Sequence, residues 1–165
     1  LSIPVDGIDV FMFGTAEAIS ERNIRSAKDE LFFSSAGPAA SMLFAGIFHL
    51  LEFALGSSPF AETLGHLAYV NFAWSLVNLI PAYPLDGGRI LRSILWFTLN
   101  KRKATILAVN FTCIGAGLFI IWSLYQIIRF GNFIYIWRIM LAGFVAISSL
   151  ALKRDQLNEN AFQKY

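Results

Sequence analysis

The run Asn78-Leu79-Ile80-Pro81-Ala82-Tyr83-Pro84-Leu85-Asp86-Gly87-Gly88-Arg89-Ile90 closes a long apolar segment with two prolines and a carboxylate. Pro81 and Pro84 lack backbone donors and clash with the preceding turn, so a helix arriving here must break and leave carbonyls without helical partners. Within a membrane, broken backbone is tolerated where it is buried in protein or lines a cavity. A carboxylate at that depth costs about 2.5 to 3.5 kcal/mol on insertion scales. Asp86 therefore needs a proton, a partner or a cation, and it is the first metal-ligand candidate in the chain.

The membrane setting follows from composition. Of 165 residues, 56% are hydrophobic, 15% are charged and 16 are Phe, and the mean hydropathy is +0.59. Soluble domains carry about 25% charged residues. Four apolar stretches, 31–55, 64–83, 104–128 and 133–152, are long enough to cross a bilayer. Ile90 to Leu99 is too short and is expected to run along the interface. Upstream, Val5 to Phe13 alternates imperfectly and predicts a short strand, with Ala16 to Ser20 able to return as a second. Glu21 to Glu30 is charged and mixed in sign, as expected of a linker in water or headgroups. The division is a strand region and linker over 1–30, a membrane core over 31–152 and a polar tail over 153–165.

A net charge of +2 gives no reason to expect a nucleic-acid partner. Its placement is more informative. Arg89, Arg92, Lys101, Arg102 and Lys103 lie between the second and third crossings, whereas Gly56 to Thr63 has no basic residue. With four crossings, Arg22, Arg25 and Lys28 and the tail residues Lys153, Arg154 and Lys164 share the basic side. The positive-inside rule then puts both termini and Asp86 on the cytoplasmic side of a multi-pass protein. Cys113 is the single cysteine, which excludes an intrachain disulfide and a cysteine-rich metal cage. No signal-peptide pattern is visible, and opening on Leu1 is what a fragment, a processed product or an incomplete gene model would give.

Taken in order, these residues resemble the site-2 protease family of intramembrane zinc metalloproteases, the peptidase M50 group. Asn78 to Arg89 is similar to the family's N-x-x-P-x-x-P-L-D-G-G-R signature. Ala36-Gly37-Pro38 resembles the A-G-P of the helix between the two metal-bearing helices. Ile3-Pro4-Val5 with Phe13-Gly14 resembles the membrane-edge strand region, and Gly131-Asn132-Phe133 resembles the opening of a carboxy-terminal helix. The resemblance implies an all-α polytopic membrane fold with about four transmembrane helices and a short N-terminal membrane-edge β-hairpin. It implies a Zn2+ cofactor with Asp86 as third ligand, and Asn78, Pro81, Pro84, Gly87 and Gly88 as its support. The implied activity is endopeptidase cleavage of transmembrane substrate segments by metal-activated water, so the partners are a membrane-protein substrate and the lipid bilayer.

The family's other two ligands and its general base come from an H-E-x-x-H helix, in which two histidines four apart share a face and the glutamate activates water. The chain has no such motif. By the family's order it belongs upstream of Leu1, so no catalytic residue is expected within the chain, which alone should be inactive. The alternative is a non-catalytic scaffold or pseudoprotease of the same fold. His49, Glu52, Glu62 and His66 have spacings that permit cation sharing, but His66 is roughly 30 Å of helix from Asp86. They read as interfacial polar groups pairing with each other or with water. Asp86-Gly87-Gly88 alone would also suit a surface turn with Arg89 and Arg92 as headgroup anchors. Asn78 has two readings, a donor to substrate or a satisfied interhelical amide.

Overall fold

The computed structural model describes residues 8–11, 14–17 and 26–162, with side chains over 26–154. Two strands, β1 (Ile8–Phe11) and β2 (Gly14–Glu17), pair antiparallel with Ile8 opposite Glu17 and Phe11 opposite Gly14. The remainder of the expected strand region, including residues 1–7, 12–13 and 18–25, lies outside the described residues, as does the end of the tail.

Five helices follow: α1 (Ala27–Leu55), α2 (Pro59–Asn78), α3 (Asp86–Trp96), α4 (Lys101–Phe130) and α5 (Tyr135–Phe162). Their starts are written in local chemistry. Ser26, Ser58 and Asn100 each accept a backbone N–H from three residues ahead, satisfying donors that a helix start leaves open. Pro59 opens α2 where its missing N–H costs nothing. Gly131 ends α4 with φ +62°, a left-handed cap whose N–H returns to Ile127 O at 2.8 Å.

Packing inverts the order of a soluble core. The buried apolar positions are mostly alanines, among them Ala45, Ala61, Ala68, Ala104, Ala108 and Ala116, while Phe53 is 86% and Ile128 84% exposed. Small residues let helices approach closely, and large ones face a solvent as apolar as themselves. Among the described residues, three helices are long and apolar enough to cross a membrane, α1, α4 and residues Tyr135–Arg154 of α5. The sequence expectation is four. The segment expected over 64–83 is divided between α2, which carries Glu62, His66 and Asn71, and the turn that follows Asn78.

Short loops make α1 with α2, and α4 with α5, into hairpins, and α3 contacts both α1 and α4. This short helix joins the two hairpins. It exposes Ile94 and buries Arg92 and Ser93, the reverse of a helix lying in water. Arg92 is fully buried and donates from Nε to Glu30 Oε1 at 2.6 Å, with Nη2 on the same oxygen. One expectation is corrected here: Glu30 belongs to α1 and is fully buried rather than in water or headgroups. Arg92 pairs with it, which argues against the alternative in which Arg92 anchors to headgroups. A charge withdrawn from water must be paired, and these two meet because α3 folds back against the start of α1. Elsewhere the Arg138 guanidinium lies 4.7 Å from the Tyr135 ring centroid, within cation–π range.

Arg92→Met, which strands the Glu30 carboxylate, is expected to lower the unfolding free energy in detergent by about 3 to 5 kcal/mol. Adding Glu30→Met should recover most of it. A single variant as stable as the parent would contradict the buried pair.

Candidate functional site

The site is built on the seven residues that separate α2 from α3. α2 stops at Asn78 rather than at Tyr83, because the residue before a proline is driven out of helical conformation and Pro81 can donate nothing. The chain then tightens in steps. Ile80 N–H bonds to Val77 O at 3.1 Å, Ala82 N–H to Ile80 O at 2.7 Å and Leu85 N–H to Ala82 O at 2.9 Å. The last of these closes a turn around the cis Tyr83–Pro84 peptide. Gly88 N–H bonds to Leu85 O at 3.0 Å and starts α3.

Two glycines permit that fold-back. A Cβ on Gly87 would collide with the carbonyl oxygens of Leu79 and Ile80, and one on Gly88 would stand 2.7 Å from Tyr83 N and Ala82 C. The obstructing atoms are backbone and cannot rotate away. Glycine is therefore required by backbone lying on backbone.

Asp86 is the first residue of α3, where the helix dipole favours a negative group. Its carboxylate faces α1, and a Cβ on Gly37 would lie 3.3 Å from Asp86 Oδ2. Burial pushes the Asp86 carboxyl above the usual carboxylate range, with the Arg89 charge pulling partly back. Among the described residues no hydrogen bond or ion pair holds this carboxylate. The surrounding scaffold is pinned by hydroxyls. Ser75 Oγ donates to Pro38 O at 2.9 Å, fastening α2 to α1 beside Gly37, and Thr112 Oγ1 of α4 accepts the Tyr83 N–H at 3.1 Å.

Of the residues singled out from sequence, Gly87 and Gly88 are buried under the turn, Asp86 and Asn78 are half-buried, and Pro81 and Pro84 are exposed on the turn's outer side. His49 and Glu52 pair with each other, Nδ1 to Oε2 at 3.1 Å, and His66 Nδ1 lies 2.7 Å from Glu62 O. Neither histidine joins Asp86, and no group of three His, Cys, Asp or Glu among the described residues could hold a metal ion. A groove of about 440 Å³ between α1 and α2 is lined by His49 and apolar residues such as Met42, Tyr69 and Phe72, and touches no residue of the turn. The residues that sequence reasoning did not connect to the site are Glu30, Tyr83, Arg92 and Thr112. The available signal was chemical: charges bordering apolar segments need partners.

Fold and site together define a multi-pass helical membrane protein in which a proline-broken turn sets an unpaired carboxylate against a spanning helix. The family model of peptidase family M50 matches residues 53–122. A Synechocystis sp. protein whose name marks it as a candidate zinc metalloprotease is 35% identical over 108 residues, 64% of this chain and 28% of its own length. A zinc metalloprotease of Methanocaldococcus jannaschii is 34% identical over 103 residues, 60% of this chain and 29% of its own. The chain thus spans less than a third of the curated relatives it matches. The solved site-2 protease from Methanocaldococcus jannaschii superposes with a TM-score of 0.66 at 25% identity, covering 93% of this chain and 67% of that one. The M50 match over residues 53–122, the relatives named as zinc metalloproteases and the site-2 protease fold together support the site-2 protease family of peptidase M50.

Two measurements check the site's physics. Gly87→Ala must displace backbone and is expected to cost about 1 to 3 kcal/mol of stability in detergent, and an unchanged unfolding midpoint would contradict the close approach. For Asp86 the folded chain holds the proton more tightly than the unfolded chain, so stability is favoured at low pH and declines as pH rises from the ordinary aspartate value of 3.8 through the raised folded value. Asp86→Asn should remove that decline in metal-free protein and leave it at least as stable at neutral pH. A lower midpoint for the variant at pH 7 would show the carboxylate to be a stabilising group.

Proposed function

We propose that this chain is the portion of a zinc-dependent intramembrane endopeptidase that supplies the third zinc ligand, Asp86. The observation that carries the reading is an Asp86 carboxylate, half-buried against Gly37 of α1, with no hydrogen bond or ion pair among the described residues. A carboxylate so placed fits one position of a catalytic zinc shell, which takes three protein ligands and leaves a place open. The described residues offer no second and third ligand beside it, so those and the general base are assigned to an H-E-x-x-H helix preceding this portion in the intact product. The chemistry supplied by a bound zinc is polarisation of a substrate carbonyl and acidification of water.

The chain's own residues then have defined tasks. Asp86 holds charge at the end of α3, and Gly37 leaves room for it. Gly87 and Gly88 let the turn fold under the carboxylate, while Pro81 and Pro84 stop α2 and free backbone near it. Asn78, half-buried at the end of α2 with no side-chain hydrogen bond among the described residues, is available to donate to a substrate carbonyl. The strand pair β1–β2 is assigned to the membrane edge, where an extended substrate can add as a further strand. α2 serves as a fourth crossing beside the three apolar spans, which keeps both termini and Asp86 on the cytoplasmic side.

The test uses the full-length product purified from its membrane. Asp86→Asn is expected to reduce bound zinc at least tenfold, as loss of a ligand does, and to abolish cleavage of a membrane-peptide substrate. A native product with no H-E-x-x-H, whose cellular role survives Asp86→Asn, would support the scaffold reading instead.

A further inference from the structure

Four buried residues, from α1, α3, α4 and the turn, are joined in sequence to one another, and the proposed chemistry uses none of them. Glu30 and Arg92 are 0%, Tyr83 1% and Thr112 2% exposed. The Arg92 guanidinium carbon lies 5.7 Å from the Tyr83 ring centroid while its nitrogens hold Glu30 Oε1. Tyr83 in turn gives its N–H to Thr112 Oγ1 at 3.1 Å, and the Thr112 hydroxyl donates to Ala108 O at 3.0 Å. A continuous tie runs from α1 through α3 and the turn to α4. Along the chain, Asp86 lies between Tyr83 and Arg92, the two residues through which that tie passes.

Stability is a poor reason to build this. Arg92 Nε and Nη2 converge on one Glu30 oxygen, while Glu30 Oε2 and Ser34 Oγ are buried without a hydrogen-bond partner among the described residues. An incompletely satisfied buried ion pair is commonly no more stabilising than apolar packing of the same volume. Direction is a better reason. With no hydrogen bond of its own, the Asp86 carboxylate inherits its aim from the backbone on either side. Metal ligands need such outer support, and its loss typically lowers metal affinity 10- to 100-fold.

We infer that Glu30, Arg92, Tyr83 and Thr112 are positioning residues that hold the turn so that the Asp86 carboxylate points where a metal requires it. The inference rests on the reading of Asp86 as a ligand, and its test separates the two. The full-length protein in detergent is stripped of metal and its amide hydrogen exchange measured, and cobalt(II) affinity is then titrated by visible absorption. Thr112→Val, which removes the hydroxyl and keeps the shape, should speed exchange across residues 79–89 while leaving α2 and α5 unchanged. It should also weaken cobalt binding about tenfold, and Thr112→Ser should restore both.

Arg92→Lys, which keeps the charge and loses the planar fork, should act like Thr112→Val and decides the matter alone if the valine variant does not fold. Turn exchange and cobalt affinity equal to the parent in these variants would overturn the inference. So would faster turn exchange with unaltered cobalt affinity, because the tie would then serve the fold alone. Asp86→Asn should weaken cobalt binding at least tenfold with the turn's exchange unchanged. Cobalt affinity equal to the parent in that variant would instead remove the ligand reading, and the inference with it, whatever the turn does.

Discussion

Backbone lies directly on backbone where α3 begins, and the rest of the structure is arranged around that contact. The carbonyls of Leu79 and Ile80 occupy the space a side chain at position 87 would need, and Ala82 and Tyr83 occupy the space at 88. Only paired glycines allow it. The consequence is a short helix whose first residue, Asp86, is brought back under the end of α2 and against the middle of α1. Without the contact, the carboxylate would follow the chain away from Gly37.

What holds this arrangement is polar, and that follows from the solvent. Lipid gives helices little hydrophobic reason to associate, so close approach of small residues and interhelical hydrogen bonds carry the packing. Alanines line the contacts, and Phe53 and Ile128 face outward. Ser75 is tied to Pro38, Thr112 to Tyr83 and Arg92 to Glu30, while Lys153–Asn110 and Cys113–Ser149 tie α5 to α4. The first three each join a different pair of elements, and two of them involve the turn or the short helix that follows it. The groove near His49 stands apart from the turn.

The sequence made the membrane setting, the break after α2 and the glycine requirement legible, because proline and glycine act through local backbone geometry. Ser26, Ser58 and Asn100 mark helix starts for the same reason. The short third helix was legible from the brevity of its apolar run. Long-range partners were not. Glu30 and Arg92 are separated by 62 positions, and each, read alone, looks like a charge left in water or headgroups. Only the fold-back of α3 onto α1 makes them a buried pair. Thr112 was hidden in the same way, as a hydroxyl in an apolar segment with nothing local to mark it, and the proline-bounded run that contains Tyr83 did not reveal its long-range partners. The extent of α2 was misjudged because hydropathy continues through Ile80, whereas helical hydrogen bonding ends sooner.

The central claim is that this fold aims Asp86 at a zinc ion completed by residues outside the described segment. The most direct measurement is zinc-edge anomalous diffraction from crystals of the full-length protein purified from its membrane. The account predicts one zinc per chain with an Asp86 carboxylate oxygen about 2.0 to 2.2 Å away. Zinc bound elsewhere, with Asp86 turned toward Arg89 or solvent, would contradict it.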